Sequence, residues 1–119
     1  FLDGNNMLFV DDSIRKDCLD RKSNEAEKKL ASLCLEYSKK IRIQNNLLVF
    51  DRTKQVYSHE SEGVSLKVSS AYPEFESSDD AFVVWAGSMN AEDLKKTLFV
   101  TSDRELTNRL KDKNVSFVL

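Results

Sequence analysis

Short apolar runs, each stopped by an aspartate, constrain this chain more than any other feature of its sequence. Phe1-Leu2 runs into Asp3, Leu47-Leu48-Val49-Phe50 into Asp51, and Leu98-Phe99-Val100 through Thr101-Ser102 into Asp103. Runs of this length without polar alternation read as strands covered on both faces. After the last run, Ser102 and Glu105 have the Ser-x-x-Glu spacing of a capping box, so a helix is predicted to start there. An acid at a strand's carboxyl end and a helix's amino end lies on the edge of an open α/β sheet where ligands bind.

Helical patterns fill the intervals. Asn24 and Glu27 have capping spacing, and Ala26, Leu30, Leu33, Tyr37 and Ile41 recur at steps of three and four as one amphipathic face. Lys39, Lys40 and Arg42 suit that helix's carboxyl end, and Asn45-Asn46 is expected to break it. Ser77 to Met89 reads as a second helix, capped by Ser77, with Asp79 and Asp80 in its first turn. A third runs from about Asp103 to Lys111. Val64, Leu66 and Val68 alternate with Ser65, Lys67 and Ser69, a strand with one wetter face that Tyr72-Pro73 ends. Thr97 to Val100 and Val115 to Leu119 read as strands too.

Gly4, Asn5 and Asn6 tolerate tight backbone and predict a turn after the first strand. Asp11 to Lys22 reads as loop or a frayed helical turn, and Arg52 to Gly63, which holds the sole histidine, His59, as a polar loop. Strand and helix alternate almost throughout. That pattern predicts a single α/β domain over residues 1–119, with a mostly parallel central sheet, helices on both faces and all strand carboxyl ends on one edge.

Bulk composition narrows the function little. Eighteen basic and twenty acidic residues give a net charge of −2, which neither demands nor excludes a nucleic-acid partner. No apolar run has membrane-spanning length. Cys18 and Cys34 lack zinc-type spacing, and Cys34 falls near the apolar face of the first long helix, as a buried free thiol would. That usage favours a reducing compartment, the cytoplasm or an organelle interior. The chain opens on Phe1, without Met and inside an apolar segment, and so reads as trimmed at its start, where a targeting peptide would not be seen.

The chemistry is expected where the strands end. Asp3, Asp51 and Asp103 follow strands, and Asp79 with Asp80 opens a helix, so acids remote in sequence converge on one edge. Like charges held close repel, and a cation offsets them. Hard oxygen donors suit Mg²⁺ or Mn²⁺, which can activate a water and stabilise a phosphodiester under attack. Each acid also has a local explanation. Asp79, Asp80 and Asp103 suit helix starts, Asp3 an Asp-Gly turn, and Asp51 a pairing with Arg52 or Lys54. Arg15-Lys16, Arg21-Lys22, Lys39-Lys40 and Arg104 are candidate phosphate contacts or plain solvated surface. Ser102 and Thr101 can hydrogen-bond a phosphate, Tyr72 can stack on a base, and Trp85 fits the core better.

The segments Phe1-Leu2-Asp3-Gly4-Asn5-Asn6, LLVFD, ESSDDAFV and LFVTSDREL, in that order, resemble the motif series of the NYN domains, within the PIN-like ribonuclease superfamily, with the YacP-like branch the most similar. The resemblance spans nearly the whole chain. It implies a three-layer Rossmann-like PIN fold and a metal-dependent endoribonuclease, with RNA as partner, alone or in a ribosome or other ribonucleoprotein. On it, Asp3, Asp51, Asp79 and Asp103 are catalytic, and Asp3, Asp79, Asp80 and Asp103 hold Mg²⁺ or Mn²⁺. Asn6, Ser102, Arg104, Arg15 and Lys16 are then substrate contacts. Two positions depart from the family pattern. Arg52 follows Asp51 where a small residue is usual and can pair with a site acid, while Ser78 replaces an alanine before the acidic pair. A phosphoacceptor receiver domain fits less well, lacking an acidic pair after the first strand and a lysine after the last. A PIN-like scaffold or RNA-binding module without turnover is the alternative.

Overall fold

The computed structural model describes residues 1–8, 23–53, 56–113 and 115. In chain order the elements are β1 (Leu2–Asp3), α1 (Gly4–Met7), α2 (Ser23–Ile41), β2 (Asn45–Phe50), β3 (Tyr57–Ser61), β4 (Val64–Ser70), α3 (Ser78–Ser88), α4 (Ala91–Lys95) and α5 (Arg104–Lys111). The four strands form one sheet in the order β1-β2-β4-β3, parallel except for β3 against β4. On the free side of β1 the ladder continues into residues 98–100. The Phe1 nitrogen donates to the Leu98 carbonyl at 2.7 Å, Val100 N–H to Phe1 at 2.9 Å, and Asp3 N–H to Val100 at 3.0 Å. The chain therefore leaves β1 for one side and returns on the other, which opens a crevice at its carboxyl end.

β2 has no polar alternation because both its faces are covered. Leu48 and Phe50 join Leu66 and Val68 against Leu30, Cys34 and Leu35 of α2. Val49 faces the other way, into a core of Phe82 and Ala86 from α3, Leu94 from α4, Phe99, and Leu106 and Leu110 from α5. The helices thus lie on both faces of a mostly parallel sheet, as the pattern predicted. Trp85 packs against Phe1, Phe75 and Phe82. No helix among the described residues is long and apolar enough to cross a membrane.

Several expectations are corrected in detail. On α2 the residues turned to the sheet are Ala26, Leu30, Ala31, Cys34, Leu35 and Ser38, while Leu33, Tyr37 and Ile41 are exposed. The apolar stripe is wider than one packing face, and these three line a groove of about 890 Å³ instead. α2 also stops before Asn45-Asn46, at Arg42, whose φ of 60° lets Ile43 N–H close back on Ser38 O at 3.0 Å. The loop expected over 52–63 contains β3, the outer edge of the sheet, joined to β4 by Glu62 and Gly63 at φ 53° and 79°. An edge strand meets water, so Tyr57-Ser58-His59-Glu60-Ser61 carries little of the apolar signal that betrays a buried strand. α4, capped by Asn90, was not anticipated, and of the 97–100 strand Val100 bridges β1, at Leu2. Residues 11–22, and 116–119 of the final strand, lie outside the described residues.

The turn expected at Gly4 is the first residue of α1, and its glycine is needed for space. A Cβ there would stand 2.6 Å from the Phe50 ring and 2.8 Å from the Val49 carbonyl. Gly4→Ala is expected to destabilise the domain by about 1–3 kcal/mol, as overpacking does. The urea midpoint reads this, and an unchanged midpoint would show that the Phe50 ring yields freely.

Candidate active site

Asp3 ends β1 at the crevice and is only 3% exposed. A carboxylate so buried must be hydrogen-bonded. Its Oδ2 accepts from Thr101 Oγ1 at 2.8 Å, its Oδ1 lies 3.2 Å from Ser78 Oγ, and the Asn6 N–H points to it as well. Ser78, the first residue of α3 and 1% exposed, also reaches Asp51, whose Oδ1 accepts from its N–H at 2.7 Å and its Oγ at 2.8 Å. Thr101 Oγ1 in turn accepts from Asp103 N–H at 3.2 Å. Asp51, Ser78, Asp3, Thr101 and Asp103 therefore form one hydrogen-bonded chain across three strand ends and a helix start.

The two asparagines of α1 fix the surrounding backbone. Asn5 Oδ1 accepts from Asp51 N–H at 2.6 Å, and Asn6 Oδ1 accepts from the N–H and Oγ of Ser102 at 2.8 and 2.9 Å. Ser102 is thereby engaged elsewhere and does not cap the last helix. The cap is Asp103, whose Oδ1 accepts from Glu105 N–H at 2.9 Å and Leu106 N–H at 3.2 Å. Capping boxes are read from spacing alone, and Ser and Asp are equally good caps, so the shift by one residue was not visible in sequence.

Asp79 carries the electrostatic signature of the cluster. Burial first, then the charges of Asp3, Asp103 and Asp51, push its carboxyl up to about 6, with Arg109 opposing. Asp3 is also raised, chiefly by burial, against the hydrogen bonds from Thr101 and Ser78. The four acids from the four motifs thus feel one another. Asp80, next in the chain, pairs with Arg109 on α5 at 3.3 Å. Arg104 is exposed on the first turn of α5, and Arg15 and Lys16 lie outside the described residues. Arg52 pairs with no acid among the described residues, and its guanidinium lies 3.9 Å over the Tyr72 ring. Ser78 was noted in the sequence only as a departure and not as a site residue. The signal was a hydroxyl at a helix start directly before an acidic pair.

Every donor in the cluster is a carboxylate or hydroxyl oxygen, a set suited to a hard divalent cation. No hydrogen bond to the Asp79 side chain is formed among the described residues. Among the described residues, no three His, Cys, Asp or Glu side chains are grouped so as to hold an ion by themselves. Comparison with protein-family models, curated proteins and solved structures finds no match to this chain.

The Asp79 shift has a stability consequence. Its folded value of about 6 exceeds the ordinary 3.8, so the folded state binds the proton more tightly. The contribution favours folding below the ordinary value and is lost as pH rises through about 6. Without divalent ions, Asp79→Asn is expected to raise the melting temperature near neutral pH, and the gain should fade by about pH 4.5. A gap that stays constant across this range would mean that Asp79 is not repelled by its neighbours.

Proposed function

We propose that this chain is a PIN-like domain of the NYN type, with a three-layer Rossmann-like architecture, acting as a Mg²⁺- or Mn²⁺-dependent endoribonuclease. The observation that carries the reading is the shared electrostatics of Asp3, Asp51, Asp79 and Asp103 at the crevice beside β1. Asp79 and Asp103, with Asp3 behind them, would hold the ion, and Asp80 contributes less because Arg109 engages it. When bound, such an ion supplies Lewis-acid activation of a water and neutralises charge on the phosphodiester. The protein's own part is placement. Ser78 and Thr101 hold Asp3 against Asp51 and Asp103. Arg104, exposed beside the cap, is available to the RNA backbone.

One observation favours the alternative, a PIN-like module that binds RNA without cutting it. Asp3 is buried, its Oδ2 already accepts from Thr101 and its Oδ1 lies against Ser78 Oγ, which holds it as a structural acid. The two readings separate by experiment. On the nuclease reading, Mn²⁺ raises the melting temperature by mass action and single-stranded RNA is cleaved. Asp103→Asn keeps a cap, since Asn serves as well as Asp there, yet removes the charge. It is expected to abolish cleavage while leaving metal-free stability equal or slightly higher. If Mn²⁺ and RNA both leave the melting of the parent unchanged, the acids are structural. Matched RNA and DNA strands test the sugar preference, and equal cleavage would remove it.

A further inference from the structure

Beside the acidic crevice stands a cation that none of the acids among the described residues has captured. Arg52 directly follows Asp51, yet its guanidinium carbon lies over the Tyr72 ring, 3.9 Å from the centroid. It makes no ion pair among the described residues. Tyr72 remains 44% exposed beneath it. The pair is fixed to the site through the backbone. Tyr72 N–H donates to the Asp51 carbonyl at 2.9 Å, and Ser70 Oγ links the two segments, accepting from Thr53 N–H at 3.3 Å and donating to Tyr72 O at 3.0 Å. An uncompensated charge and an exposed ring are therefore set side by side on the carboxyl edge, one residue from a site carboxylate.

We propose that Arg52 and Tyr72 form a clamp for one unpaired nucleotide of a single strand whose backbone passes the acidic crevice. The inference rests on the nuclease reading and deepens it by naming the two residues that take one nucleotide of the strand. A guanidinium binds phosphate through its planar fork, and it stacks on flat π systems as a phenol ring does. A splayed base offers such a face, whereas a base within a duplex does not. Charge also favours this assignment. A strand carrying phosphate up to a cluster of acids needs a cation at the rim, and Arg52 is placed there without being neutralised by the acids.

The test uses the full chain in EDTA, so that nothing is cleaved, with a short fluorescein-labelled oligouridylate and its duplex followed by anisotropy across a salt series. Arg52→Ala is expected to weaken single-strand binding about tenfold and to reduce the salt slope by about 0.7, the loss of one single-strand phosphate contact. Tyr72→Ala should weaken binding about tenfold with the slope unchanged, and Tyr72→Phe should restore it. Arg52→Lys should keep the slope and recover only part of the affinity. Duplex binding should be equal in all variants. The same losses on a deoxyuridylate strand would also support the clamp, since base and phosphate are common to both. Parent-like affinity and slope in Arg52→Ala overturn the clamp and leave the nuclease reading standing. A parent chain that binds neither strand overturns the clamp, while cleavage with Mn²⁺ tests the nuclease reading separately.

Discussion

A carboxylate shut away from water at the end of β1 sets the terms for everything around it. Asp3 sits where the backbone ladders of β2 and residues 98–100 meet, so it cannot turn to solvent without breaking the sheet. Burial alone would drive it to the neutral form. Hydroxyls from two different elements, Ser78 and Thr101, supply hydrogen bonds that oppose this, and each also bonds a second acid or its backbone. The placement of α3 and of the segment before α5 is thereby tied to one side chain.

The same arrangement divides two neighbouring acids that sequence alone treats as a pair. Asp79 and Asp80 are consecutive on the first turn of α3, and a helix turns about 100° per residue. One therefore faces the crevice and is raised by its neighbours, while the other meets Arg109 on α5. Arg109 serves both, pairing with Asp80 and partly relieving Asp79. A dipole argument for helix-start acids predicts no such difference, because it does not depend on which face each residue occupies.

The features legible in sequence were those with a strong local signal. The runs before Asp3, Asp51 and Asp103 betrayed the parallel strands, and Ser77 betrayed the cap of α3, which it provides by accepting from Asp80 N–H. The convergence of the acids followed from topology once the strands were in place. What escaped depends on contacts between remote residues. The edge strand β3 has no buried face to pattern it, and the sheet-facing side of α2 could not be separated from the flanking apolar residues. Ser78 is a small polar residue whose importance comes from Asp3, 75 positions away. Arg52 could have paired with a site carboxylate, and among the described residues its partner is an aromatic ring.

The bonds between Phe1, Asp3 and residues 98–100 also fix when the crevice can exist. Asp3 N–H meets Val100 O and Asp3 Oδ2 meets Thr101 Oγ1, a sequence separation of 98 in the latter case. Chains emerge from synthesis amino end first, and pairings so distant close late. Until the segment around residue 101 has been made, Asp3 lacks the Thr101 hydroxyl and β1 lacks its second neighbour. The acidic cluster therefore forms only after the segment around residue 101 has been made, however early Asp3 itself emerges.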